Sequence, residues 1–192
     1  LRSMLALVDA SVRTNYYRYG GKLPTQRSGS VPYLSFKVAV RDCTDLARTN
    51  LLYEIWVHSS RMQGIHLRGA RVARGGIRYS DRPDDFRTEV LGLVNTQMVK
   101  NSVIVPAGSK GGFITLYESE DLAEMAEEAK DQYKTLVRGM LDLTDNIAVD
   151  GSPLPPDGVV CWDSPDPYLV VAADKGTSKY SDMANGVAKE YD

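Results

Sequence analysis

The hydrophobic period of this chain switches repeatedly between two residues and about 3.6, which restricts it to folds that layer helices on a sheet. In Tyr33 to Val40, the apolar Leu34, Phe36, Val38 and Val40 alternate with other residues, the pattern of a half-buried strand. Tyr53 to His58 and Ile65 to Ala73 repeat that character. From Asp84 to about Lys100, Phe86, Val90, Leu93, Val94 and Met98 fall on one helical stripe behind an acidic opening that suits a helix N-terminus. Val103 to Pro106 and Phe113 to Tyr117 read as short strands. Leu122, Ala126, Ala129, Tyr133, Leu136 and Met140 then form a long stripe behind Ser119, the predicted N-cap. Tyr168 to Ala173 reads as a buried strand, and Ser181 as the cap of a last helix. Strands alternating with helices predict an α/β fold with a mixed, largely parallel sheet flanked by helices.

The 192 residues fit a single domain. Leu5, Val8 and Val12 recur at helical spacing, so residues 1–22 read as an N-terminal helix closed by Gly20-Gly21. Residues 23–32, rich in Pro, Ser, Gly and Thr, read as an exposed connector. Residues 33–180 form the expected α/β core, and 181–192 the start of a helix that the chain cuts off. The segment from Asp150 to Pro167 carries five prolines and little periodicity, a long loop of the kind that is uncommon unless functional. A first residue of Leu rather than Met reads as a fragment.

Composition narrows the partners. Lys plus Arg number 23 against 25 acidic residues, a net charge of −2, which gives no global attraction to nucleic acid. Apolar runs such as Tyr168 to Ala173 fall far short of the ~20 residues that span a bilayer. Cys43 and Cys161 are far apart and fit a reducing cytoplasm, while His58 and His66 are too few to anchor a metal site. Neither G-x-G-x-x-G nor G-x-x-x-x-G-K-[ST] occurs, so no dinucleotide or triphosphate turn is signalled. A basic-groove binder is disfavoured by this composition, which leaves open the question of a small ligand.

Four places could hold one. Lys110 lies in Pro106-Ala107-Gly108-Ser109-Lys110-Gly111-Gly112, where glycines let a ligand approach and the lysine projects from an expected strand-to-strand bend. It reads equally as a turn lysine pointing to water. Lys100 falls two helical turns after Leu93, at the margin of the buried stripe, and Gln97 precedes it by three residues on that face. The two could share a carboxylate, or Lys100 could snorkel to solvent. In Arg74-Gly75-Gly76-Ile77-Arg78 the glycines clear space in which Arg74 could grip a carboxylate, although such runs also occur in plain turns. Asp174 closes the apolar run Val170 to Ala173, and strand ends collect ligand sites, though turn aspartates are commoner.

Taken in order, these pieces resemble the substrate domain of glutamate dehydrogenases. The resemblance runs through Arg74 to Tyr79, Gln97-Met98-Val99-Lys100-Asn101, Pro106 to Gly112 and Ala172-Ala173-Asp174, and covers nearly the whole chain. Val72 to Arg78, Asp84 to Glu89 and Tyr168 to Ser181 look like the large, NAD-specific branch in particular. The likeness implies reversible oxidative deamination of glutamate to 2-oxoglutarate and ammonia. By it, Lys110 matches the catalytic lysine and Asp174 the proton-shuttling carboxylate. Lys100 with Gln97 matches the holder of the 1-carboxylate, while Arg74, followed by Gly75 and Gly76, stands where small family members bind the 5-carboxylate with lysine. Small members also carry an extra glycine before the catalytic lysine. The likeness further implies an NAD cofactor bound mainly by a domain beyond this chain, a homo-oligomeric parent, and a fragment that does not turn over alone. Two other readings stand beside it. Another amino-acid dehydrogenase would have an apolar side-chain pocket, against which the basic Arg74 argues. A non-catalytic amino-acid sensor would need neither Lys110 nor Asp174.

Overall fold

The computed structural model describes residues 2–20, 32–43, 46, 49–100 and 106–191. In chain order its elements are α1 (Arg2–Asp9), β1 (Ser11–Thr14), β2 (Leu34–Ala39), β3 (Tyr53–His58), β4 (Met62–Arg68), β5 (Ala73–Tyr79), α2 (Phe86–Lys100), β6 (Ala107–Thr115), α3 (Leu122–Leu141), β7 (Asn146–Ile147), β8 (Pro153–Leu154), β9 (Val160–Cys161), β10 (Val170–Ala173) and α4 (Ser181–Ala188). Eight strands form one sheet in the order β10-β5-β6-β4-β3-β2-β1-β9, and β7 pairs with β8 in a separate ribbon.

The mixed α/β architecture matches the sequence expectation, but the strand directions correct it. Only β10–β5 and β5–β6 are parallel; the other five pairings in the large sheet are antiparallel. Period-two alternation is common in antiparallel strands, and β2, β3 and β4 follow one another in sequence and space as an antiparallel meander.

Helices cover both faces. On one side α2 lays Phe86, Val90 and Val94 against Val40, Leu51, Ile65, Leu67 and Ile114. On the other, α3 and α4 bury Tyr133, Leu136, Val137, Met140, Ala184 and Val187 against Ile55, Val57, Met62, Ile77 and Phe113. Packing between layers fixes the orientation of each strand end, since interior side chains of this kind interdigitate at near-crystalline density.

Several local expectations shift. The N-terminal helix ends at Asp9, and Val12 lies in β1, which pairs with β2 and β9. Strand pairing and burial of Arg13 override the weak helical spacing there. Asp121, not Ser119, caps α3 by accepting the Ala123 N–H, while Ser119 Oγ accepts from Asp121 N–H. Leu122 and Ala126 are exposed, and the buried stripe begins at Glu128 and Ala129. The segment 150–167 includes β8 and β9, and β10 is an edge strand that is mostly exposed rather than buried. Most of the expected connector and the 103–105 part of the expected strand lie outside the described residues. Among the described residues, no helix is long and apolar enough to cross a membrane. Cys43 and Cys161 are both free thiols.

His66 on β4 is 1% exposed, and neither ring nitrogen has a hydrogen-bond partner among the described residues. Burial, helped by the Arg68 charge and opposed by Asp166, pushes its pKa down to about 3. A base whose folded pKa lies below its unfolded value of about 6.5 leaves stability intact above pH 6.5 and erodes it as pH falls toward 3, because the unfolded chain binds the proton first. Between pH 6.5 and 5 the loss is expected to reach about 2 kcal/mol. Urea unfolding of the chain at both pH values checks this, and His66→Leu should flatten the dependence. An unchanged slope in that variant would assign it to other groups.

Candidate active site

Three neighbouring parallel strands build the site. In register, β5 lies between β10 and β6, with Arg74 opposite Val170 on one side and Gly108 on the other. Lys110 stands within β6, opposite Leu67 of β4, so the expected bend at this lysine is a continuous strand. Its ammonium reaches across β5 and donates to Asp174 Oδ2 at 2.8 Å. Gly76 makes this crossing possible: a Cβ there would sit 2.8 Å from the Asp174 Cβ and 2.7 Å from the Ala173 carbonyl. Gly75 is tighter still, since its Cβ would fall 1.7 Å from the Ser109 carbonyl oxygen. The Gly-Gly pair is therefore a packing requirement of the site.

Asp174 follows β10 directly, in a turn that fixes it on several sides. Its backbone N–H donates to Thr177 Oγ1 at 3.0 Å, and Thr177 in turn donates to the Ile77 carbonyl at 2.5 Å, tying the turn to β5. Lys175 N–H donates to Asp174 Oδ1 at 2.7 Å. Burial alone would raise the Asp174 pKa, but the Lys110 hydrogen bond, the Lys175 N–H and the charges of Lys110 and Arg78 outweigh it and hold the carboxyl below the usual aspartate range.

The remaining expected residues are only partly brought together. Gln97 Nε2 donates to the Arg74 carbonyl at 3.2 Å, and its Oε1 is buried with no partner among the described residues. That contact places the C-terminal part of α2 beside the Arg74 strand end. The Arg74 side chain is exposed, and Lys100, the last residue of α2, is exposed as well. Neither makes an ion pair among the described residues. Sequence reasoning missed Arg78 and Glu89 as site residues. Arg78 Nη2 donates to Asp174 Oδ1 at 3.3 Å and Nη1 to Glu89 Oε1 at 2.8 Å. Period-two spacing from Arg74 through Gly76 would have placed Arg78 on the same face.

A concavity of about 280 Å³ lined by Arg18, Thr144, Asp157, Glu190 and Tyr191 contains none of these groups. The convergent chemistry is at the β5–β6–β10 edge.

The whole chain, residues 1–192, matches the family model described as bacterial NAD-glutamate dehydrogenase, catalytic domain. The chain belongs to that family. It is 50% identical over 195 residues to the NAD-specific glutamate dehydrogenase of Pseudomonas aeruginosa and 48% over 193 residues to that of Halomonas elongata. The protein of that name from Mycobacterium tuberculosis is 46% identical over 202 residues. Each alignment covers 100% of this chain and 12% of the relative, so the chain spans a small part of their length. Within this bacterial NAD-glutamate dehydrogenase catalytic domain, Lys110 and Asp174 form the central ion pair of the strand edge just described.

Proposed function

We propose that this chain supplies the substrate-binding and proton-transfer part of an NAD-dependent glutamate dehydrogenase, a longer protein that interconverts glutamate with 2-oxoglutarate and ammonia. The observation that carries the reading is the 2.8 Å Lys110–Asp174 pair at the end of β10, with the exposed Arg74 on the adjacent strand β5 and the exposed Lys100 at the end of α2. In this reading Asp174 takes a proton from the substrate ammonium. Lys110 activates the water that adds to the 2-imino carbon in deamination and polarises the 2-oxo group in the reverse direction. Lys100 with Gln97 holds the 1-carboxylate, and Arg74 the 5-carboxylate. Such proteins act in the cytoplasm as homo-oligomers on this proposal.

NAD is assigned to residues outside this chain. Helices α2, α3 and α4 carry Glu89, Glu124 and Asp182 in their first turns, and a carboxylate there competes with the pyrophosphate that a helix N-terminus would cradle. The glycines of β5 and β6 are filled by neighbouring backbone and side chains instead. On this reading the isolated chain is expected to be inactive.

Arg74 tests the substrate class. In the longer protein, Arg74→Met should raise KM for glutamate by about tenfold or more, because a hydrogen bond to a charged group is worth ~1.5–3 kcal/mol. KM for monocarboxylic amino acids should change far less. Steady-state NAD reduction with both substrate types measures the difference; equal losses would remove Arg74 from the 5-carboxylate site.

A further inference from the structure

The Arg-Gly-Gly-Ile-Arg run ends in an arginine that touches the acid–base pair without being part of it. Arg78 spans two carboxylates on different elements: Glu89 Oε1 on α2 at 2.8 Å and Asp174 Oδ1 after β10 at 3.3 Å. Glu89 is steadied by Ser80 Oγ, which donates to its other oxygen at 2.6 Å. Burial acts to raise the Glu89 pKa, but the Ser80 and Arg78 hydrogen bonds and the arginine charge prevail, so the group stays ionised. The two oxygens of Asp174 thereby differ. Oδ1 is held by Arg78 and by Lys175 N–H, whereas Oδ2 meets Lys110.

We propose that Arg78 is the positioning residue of the Lys110–Asp174 pair, holding Oδ1 so that Oδ2 is the oxygen that exchanges the proton, with Glu89 tempering how much of the arginine's charge reaches the aspartate. The inference rests on the acid–base roles proposed above. The charged groups facing Asp174 are Lys110 from β6 and Arg78 from β5, with the backbone N–H of Lys175 from its own turn; Glu89, and Arg82 near it, stand behind Arg78. Because Glu89 opens the helix whose last turns carry Gln97 and Lys100, one rigid element connects the carboxylate contacts to the proton-transfer pair. An ion pair that merely clamps β5 to α2 would need no particular sign of charge at the aspartate.

That difference is testable in the longer protein through the pH profile of kcat/KM for glutamate oxidation. Removing the cation with Arg78→Met makes the protonated aspartate easier to form, so the acidic limb should move up by about one pH unit. The same variant should lower kcat by about tenfold while KM stays within about threefold. Arg78→Lys should restore part of both. Glu89→Gln leaves the arginine charge undivided, so its acidic limb should move down. Opposite movements in the two variants support the proposal. An acidic limb that stays in place in Glu89→Gln, or that moves the same way in Glu89→Gln and Arg78→Met, overturns it. If Arg78→Met fails to fold, the direction of the limb in Glu89→Gln decides alone. Asp174→Asn measured alongside separates the two levels: full activity in that variant rejects the acid–base reading itself, whereas lost activity with unmoved limbs rejects only the role of Arg78.

Discussion

Asp174→Asn in the longer protein is expected to reduce kcat for glutamate oxidation by about 10²–10⁴-fold with little change in substrate affinity, the range typical of general acid–base groups. The amide keeps the shape of the side chain and can still accept from Lys175 N–H, but it cannot accept the substrate proton and loses the ionic half of its 2.8 Å contact with Lys110. Lys110→Ala should cost as much or more, because it removes the group that polarises the oxo carbon and strips Asp174 of its principal counter-charge. The two effects should be far from additive, since each side chain acts through the other. Steady-state kinetics of both single variants and the double variant, with circular dichroism to confirm folding, provide the measurement. A kcat for Asp174→Asn within about threefold of the parent would reduce Asp174 to a turn residue that caps β10.

The pair was readable in the sequence because its two supports are local: a lysine between glycines, and an aspartate at the end of an apolar run. Their meeting was not readable from spacing alone, since it depends on β5 lying between β6 and β10. The predominance of antiparallel strands was legible in principle, because period-two alternation such as that of Tyr33 to Val40 belongs more to antiparallel strands than to the continuous apolar runs of parallel ones. The charged interior was not. In Tyr33 to Val40, Lys37 occupies a non-apolar slot of the alternation and reads as solvent-facing, yet it is 1% exposed while Leu34 and Phe36 are only half-buried. A period-two pattern separates two faces; it does not tell which face another part of the chain will cover. The aspartates of the proline-rich segment do the covering here, and proline-rich stretches carry no periodicity from which docking could be inferred. Lys100 illustrates the converse: Gln97 and Met98 of the last turn of α2 stay against the sheet, but Lys100 itself ends exposed.

Asp166→Asn is expected to loosen the approach to the site more than any surface change. Arg13, Lys37 and Arg68 bring three cations into the interior, where Asp145, Asp163 and Asp166 neutralise them. Asp166 alone accepts from Lys37 Nζ at 2.6 Å and from both Arg68 Nη atoms at 2.7 and 3.0 Å, and Lys37 also lies 3.8 Å from the centre of the Tyr53 ring. Removing one carboxylate leaves an uncompensated buried cation, a defect that costs about 3–5 kcal/mol. Four residues later the chain enters β10, which runs directly into Asp174, so the cluster anchors the strand that delivers the carboxylate. Amide hydrogen exchange across residues 160–173 should therefore speed up by roughly 10²–10³-fold in Asp166→Asn, with a smaller change in α3. Burial raises the Asp166 pKa, but the hydrogen bonds and charges of Arg68 and Lys37 prevail and leave it below the usual aspartate value. A carboxyl with a depressed folded pKa stabilises the structure above its unfolded pKa, about 3.9, and loses that contribution as pH falls through the folded value, so the variant and parent should converge only in strong acid. Adding Lys37→Met to Asp166→Asn rebalances the interior at two cations and two carboxylates, and should recover a good part of the lost protection. If the single variant opened no faster than the parent, or if Lys37→Met made it worse, the interior charges would be screened by solvent and the cluster would not be what holds β10 in place.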